Sequence, residues 1–209
     1  MKFFNFHHHN PHEKHGIFNI DFGQDLHNSS FSTGIHPKSI LPGFEEQLLW
    51  LQETAQLKNC LAIGECGLDG LINVADQLQE EIFSHHISLA NQLQKPLIIH
   101  CVKRFQRMIQ LCKKAEVPMV LHGFNKKKSV GLELIANDFY LSFGTSVLEN
   151  VNLQEFLKEV PLQKILLETD TTDFEIEKLY QKVADLKCIP LKVLGEQIEE
   201  NLKTLKIIV

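Results

Sequence analysis

The sequence predicts an α/β fold, a TIM-type (β/α) barrel with one degenerate or missing β/α unit near the N-terminus. Three observations predict it. Eight short apolar runs alternate with longer amphipathic stretches along the chain. Most of the short runs are near-continuously apolar, as strands buried on both faces are. No Gly-rich phosphate turn follows the first run, where "HHHNPHEKHG" stands, and such a turn would mark the structural alternative, a doubly wound open sheet. The 209 residues suit one domain, 1–209, near the small end of barrel lengths, and 44% apolar content supplies its core.

Taken in order, strands are expected at "KFFNFHH", "GIFNIDF", "FSTGIH", "CLAIGECGL", "PLIIHCV", "PMVLHGF", "FYLSFG" and "KILLETD". Helices are expected at "FEEQLLWLQETAQL", with Leu48, Leu51 and Leu57 on one side, and at "ADQLQEEIFSHHISLANQLQ", with Leu78, Ile82, Leu89 and Leu93 on a stripe. His85 and His86 in that second helix read as ordinary helix residues. "FQRMIQLCKKA", "SVGLELIAN", "LQEFLKEV", "FEIEKLYQKVADL" and "PLKVLGEQIEENLKTL" continue the alternation, and Pro190 suits a first helical turn. The stretch "GIFNIDFGQDLHNSSF" offers a strand but hardly a helix, which is where the degenerate unit falls.

Bulk properties exclude several classes of function. A net charge of −5 argues against a chain whose main task is coating nucleic acid, though not against a nuclease whose metal ions supply local positive charge. No apolar run reaches the roughly 18 residues of a membrane span. The opening "MKFFNF" is too short for a signal-peptide core. Five cysteines, odd in number and without CxxC spacing, read as reduced, mostly buried thiols, and the expected location is cytoplasmic.

The chemistry lies in where polar residues fall. "LAIGE" ends an apolar run with Glu65, "PLIIH" with His100, "PMVLH" with His122 and "KILLETD" with Asp170. "KFFNFHHH" does the same with His7 and His9, which share a strand face while His8 points away. Parallel barrel strands finish at one mouth, so six metal-ligand candidates from five strands are expected to converge there. The separations fit: 22 residues from His100 to His122 is about one strand-helix unit, and 48 from His122 to Asp170 about two, with "FYLSFG" between. A lone buried histidine is more often a core residue than a ligand. An ionised carboxylate ending an apolar strand is costly unless it is paired or bound to a cation. The mixed set suits zinc, manganese or iron, and magnesium given the two acids.

These motifs resemble one family. "FNFHHHN", "GIHP" (34–37), "AIGECGLD" (62–69), "PLIIHC" (96–101), "VLHGF" (120–124) and "LLETD" (166–170) look, in order, like the TatD-related metal-dependent hydrolases, the TatD-type deoxyribonuclease family of amidohydrolase-like barrels. The resemblance implies a TIM-type barrel that hydrolyses phosphodiester bonds of DNA, at ends or in single strands, with a water activated by two divalent ions. It implies that His7 and His9 hold the first metal, that Glu65 bridges, that His100 and His122 hold the second, and that Asp170 ligates the first and handles a proton. Glu65 and Asp170 are then the catalytic pair. Asp69 reads equally as a loop cap or as a partner that fixes a ligand tautomer. Lys103 and Arg104 are candidates to hold a phosphate, and His36 to touch substrate, support the ligands or serve the turn before Pro37.

This chain also departs from the family. The segment between His9 and "GIHP" is short, Asn5 stands where an acid is usual, "GFNKKKS" replaces a serine-containing turn, and the loop after "ETD" is short. These features bear on the substrate, which is DNA or a small phosphoester, with no membrane and no obligate protein partner expected. Two other readings stay open: a small-molecule phosphoester, amide or ester hydrolase on the same metal pair, and a non-enzymatic barrel that binds a partner.

Overall fold

A computed structural model describes residues 2–25 and 29–207. Residues 26–28, inside the stretch expected to lack a helix, lie outside the described residues. The chain divides into two compact units, Phe18–Leu121 and a second built from Met1–Ile17 with His122–Val209.

All eight expected strands form: β1 (Asn5–His8), β2 (Gly16–Ile20), β3 (Phe31–Thr33), β4 (Cys60–Asp69), β5 (Leu97–Val102), β6 (Met119–Leu121), β7 (Tyr140–Phe143) and β8 (Ile165–Leu167). So do the seven helices: α1 (Glu45–Thr54), α2 (Asp76–Leu93), α3 (Phe105–Cys112), α4 (Lys128–Ala136), α5 (Val151–Glu159), α6 (Ile176–Lys187) and α7 (Leu191–Thr204). No helix is found between β1 and β2, or between β2 and β3 among the described residues. Nor is any described helix long and apolar enough to cross a membrane.

In the Phe18–Leu121 unit, β2 pairs with β3, β3 with β4, β4 with β5 and β5 with β6, every pair parallel. Parallel neighbours need crossovers, and α1, α2 and α3 supply three of them. Strand residues such as Ile63, Leu97, Ile98 and Ile99 are fully buried, which explains the unbroken apolar runs. In the other unit β7 pairs in parallel with β8, and a parallel bridge joins His8 to Asp170.

Two helix expectations need correction. Helix α1 stops at Thr54, where the Ala55 N–H bonds the Leu51 carbonyl, so Leu57 lies beyond it in an exposed turn rather than on the buried stripe. Helix α2 buries Gln79, Ile82, Phe83, His86, Ile87 and Ala90, while Leu89 and Leu93 are only partly covered. The buried face therefore carries two polar residues, and both are satisfied. Gln79 brackets Asp69, its Oε1 accepting from the Asp69 N–H at 2.8 Å and its Nε2 donating to the Asp69 carbonyl at 3.1 Å. His86 accepts the Ile35 N–H on Nε2 at 2.8 Å and sets Nδ1 2.7 Å from the Ile82 carbonyl.

Burial, the main cause, pushes the His86 imidazole down to about 4 from 6.5. Between those values the unfolded chain binds a proton that the folded chain refuses. The stability from His86 is thus complete above pH 6.5 and lost as the pH falls toward 4, a loss of about 3 kcal/mol. His8, also lowered to about 4 chiefly by burial, acts with the same sign. Denaturant unfolding at pH 7 and pH 4 is expected to show a clearly smaller pH effect for His86→Gln than for the wild type. An equal pH effect in the two proteins would refute the assignment.

None of the five cysteines is in a disulfide among the described residues; four are buried and Cys188 is exposed.

Candidate metal centre

Two sets of imidazoles and carboxylates form, one in each unit. The first is Glu65 with His100 and His36. Strand β4 does not end at Glu65 but runs on to Asp69, and its register against β5 slips between Ile63 and Cys66. Such a bulge re-aims a side chain and breaks the ladder locally. The Glu65 N–H is taken up by Asn19 Oδ1 at 2.9 Å. Beyond the bulge Gly67 pairs with His100, which fixes β5 beside β4.

His100 stands between two acids. Its Nδ1 lies 3.0 Å from Glu65 Oε1 and its Nε2 lies 3.4 Å from Asp69 Oδ2. A neutral imidazole has one N–H, so it can donate to only one carboxylate. The other contact becomes favourable when a cation stands there, either a second ring proton or a metal ion. The donor set therefore fits a divalent ion held by Glu65 and His100, with Asp69 on the far nitrogen fixing the tautomer. Asp69 also caps its loop, Oδ1 accepting the Leu71 N–H at 2.8 Å.

The second set is His7, His9 and Asp170. Asp170 Oδ1 lies 3.9 Å from His7 Nε2 and 3.6 Å from His9 Nε2. Those distances are too long for hydrogen bonds. They match ligands that share one ion at about 2.0–2.2 Å each, which lie roughly 3–4 Å apart. His7 is fully buried, whereas His9 and Asp170 are partly exposed, so the set has a dry side and a wet side. The backbone locks it: the His9 N–H donates to the Asp170 carbonyl and the Asp170 N–H to the His7 carbonyl. Asn5, where an acid is usual, donates from Nδ2 to Thr169 Oγ1 at 2.8 Å and accepts the Thr169 N–H at 3.0 Å. A neutral amide thus holds β1 in register with the residue before Asp170. The neighbouring His8 is buried, so the alternation predicted for β1 leaves it covered rather than solvated.

His122 packs its ring 4.7 Å from that of His7. Its Nδ1 lies 3.3 Å from Oε1 of Glu168, and the same oxygen accepts the Gly123 N–H at 2.6 Å. Gly123 has φ +58°, the left-handed conformation that glycine adopts readily. Glu168 is fully buried. Burial, the largest single influence, raises its pKa, but the hydrogen bond and charge of His122, with smaller contributions from His7 and Ser142, together outweigh it and hold the carboxyl below its usual range. Sequence reasoning passed over Glu168. The signal was there, since a carboxylate ending "KILLE" carries the same cost argument as Asp170.

The remaining candidates separate. Arg104 is engaged elsewhere, pairing with Asp76 and with Glu80 at 2.5 Å on α2. Lys103 is exposed. Lys128 bonds Glu159 at 2.6 Å, leaving Lys126 and Lys127 as the other cations of that loop.

Residues 20–206 match the family described as TatD related DNase. The chain belongs to this family. Membership assigns it to the metal-dependent hydrolases. It is 29% identical over 191 residues to the uncharacterized metal-dependent hydrolase YabD of Bacillus subtilis, covering 82% of this chain and 75% of that protein. It is 32% identical over 149 residues to the 3′-5′ ssDNA/RNA exonuclease TatD of Klebsiella pneumoniae, covering 66% of this chain but only 56% of the relative. The crystal structure of YJJV, a TatD homolog from Escherichia coli K12, superposes with a TM-score of 0.80 at 17% identity, covering 97% of both chains. The fold is therefore the TIM-type (β/α) barrel of the TatD proteins, and the open-sheet alternative falls away. Among the described residues the two connections flanking β2 hold no helix.

Proposed function

We propose that this TatD-family chain is a metal-dependent phosphodiesterase that cleaves nucleic acid, single-stranded DNA or DNA ends. The observation that carries the reading is that His7, His9 and Asp170, and separately Glu65 and His100, bring ligand atoms within reach of a shared ion. The nuclease names of relatives such as the Klebsiella exonuclease support the substrate class. Two divalent ions, zinc, manganese, magnesium or iron, are proposed, one held by His7, His9 and Asp170 and one by Glu65 and His100.

When bound, divalent ions neutralise non-bridging phosphoryl oxygens and lower the pKa of a water toward neutrality. Glu65 supplies negative charge from a nearly dry position, so its attraction for a cation is little screened. His122 is tied through Nδ1 to Glu168. Asp170 is the general base: its side chain is 40% exposed, which lets it reach water and pass a proton to solvent. Lys103, exposed beyond β5, holds a substrate phosphate in this reading, whereas Arg104 orients α2. His36 serves the ligands rather than the substrate.

The test is a substrate panel: a single-stranded oligonucleotide, a duplex with free ends, an aryl phosphodiester, an aryl phosphomonoester and an anilide, each with manganese, magnesium or zinc. Oligonucleotide shortening that chelation abolishes is the expected result. Turnover confined to the anilide or the monoester would replace the nuclease reading with the small-molecule alternative.

A further inference from the structure

His36 falls within ligand distance of Glu65 and His100, and it could be taken for a third metal ligand. Its hydrogen bonds exclude that role. His36 Nδ1 accepts the backbone N–H of Lys38 at 3.0 Å. A backbone N–H only donates, so Nδ1 bears a lone pair and the single proton of the ring is on Nε2. Nε2 lies 3.2 Å from Glu65 Oε1. A protonated ring nitrogen donates to a carboxylate and has no lone pair for a metal.

The same reasoning fixes the residue behind it. His86 Nε2 accepts the Ile35 N–H, so its proton sits on Nδ1 and goes to the Ile82 carbonyl. Both nitrogens of this fully buried ring are thereby used, and the backbone entering His36 is tied to α2. The packing agrees: Ile35 and Ile82 share one buried cluster with Leu51. The result is a connected chain with an acceptor at each end, the Ile82 carbonyl behind His86 and one oxygen of Glu65 beyond the His36 ring, joined through the Ile35–His36 backbone.

We propose that His36 is a positioning residue that donates a hydrogen bond to Glu65 and aims its carboxylate at the divalent cation, and that His86 sets His36 by anchoring Ile35. The proposal rests on the metal-site reading above. Partners of this kind that orient a ligand typically contribute 10–100-fold to metal affinity.

The test is cobalt(II) titration of the full chain, read by visible absorption and calorimetry, with circular dichroism as the check on folding. His36→Gln places an N–H at about the reach of the lost Nε2, whereas His36→Leu has none. His36→Leu is expected to weaken one cobalt site about 10–100-fold, while His36→Gln binds close to wild type with an unchanged spectrum. His86→Gln, which can still accept the Ile35 N–H, is expected to bind more tightly than His86→Leu. If the latter fails to fold, His86→Asn, too short to reach Ile35, takes its place. Loss of affinity in His36→Gln equal to that in His36→Leu, with a spectrum showing one nitrogen fewer, would make His36 a ligand and overturn the proposal. Wild-type affinity in His36→Leu would overturn it as well, and equal affinity in the His86 variants would overturn the anchoring role. A wild-type chain that takes up no cobalt would instead refute the metal-site reading itself.

Discussion

Asp170→Asn is expected to reduce turnover on an oligonucleotide by about 10²–10³-fold or more, the scale for loss of a group that stabilises charge in a transition state. Asparagine is the informative replacement. Asp170 has φ +52°, a left-handed conformation that aspartate and asparagine tolerate and alanine resists. The amide keeps the side-chain shape and leaves intact the backbone bonds to His7 and His9. It removes the negative charge that His7 and His9 face and the acceptor for a proton. Thermal unfolding without metal should therefore match wild type while kcat collapses. Full metal-dependent turnover in this variant would show that the acid is neither ligand nor base.

Gly67→Ala is expected to cost about 3 kcal/mol or more of stability, at the severe end for a single methyl group. Gly67 has φ +140°, which L side chains rarely adopt, and a Cβ there would lie 2.0 Å from the His100 carbonyl oxygen. The neighbour is backbone of the paired strand β5, which cannot swing aside as a flexible side chain could. Relief requires β5 to move exactly where it carries His100, so whatever folds should also lose affinity at the Glu65–His100 site. Denaturant midpoints and cobalt titration measure the two effects. An unchanged midpoint would mean that β4 and β5 are not paired as described.

These two residues mark the limits of what could be read from sequence. The ends of apolar runs located Glu65, His100, His122 and Asp170, because burial of charge is written into residue type and position. The family motifs lie on the same runs. Which atom of each side chain meets which partner is not written there. His86 reads as ordinary because the stripe of Leu78, Ile82, Leu89 and Leu93 leaves it out, although Ile82, Phe83, His86, Ile87 and Ala90 keep helical spacing and mark the buried face. His36 could not be given a role until Lys38 was seen to occupy its Nδ1. Arg104 resembled a phosphate ligand because its acids, Asp76 and Glu80, lie far back in the chain on α2. Glu65 ends an apolar run but not its strand, and the Asn19 side chain that takes up its N–H has no chemical signature in sequence.

The central claim is that distant imidazoles and carboxylates of this chain bind divalent cations. Anomalous scattering from crystals grown with saturating manganese or zinc tests it most directly. The account predicts peaks within about 2.0–2.3 Å of ligand atoms of Glu65 and His100, and of His7, His9 and Asp170. A map with no peak at either set, from crystals in which those side chains are well ordered, would contradict it.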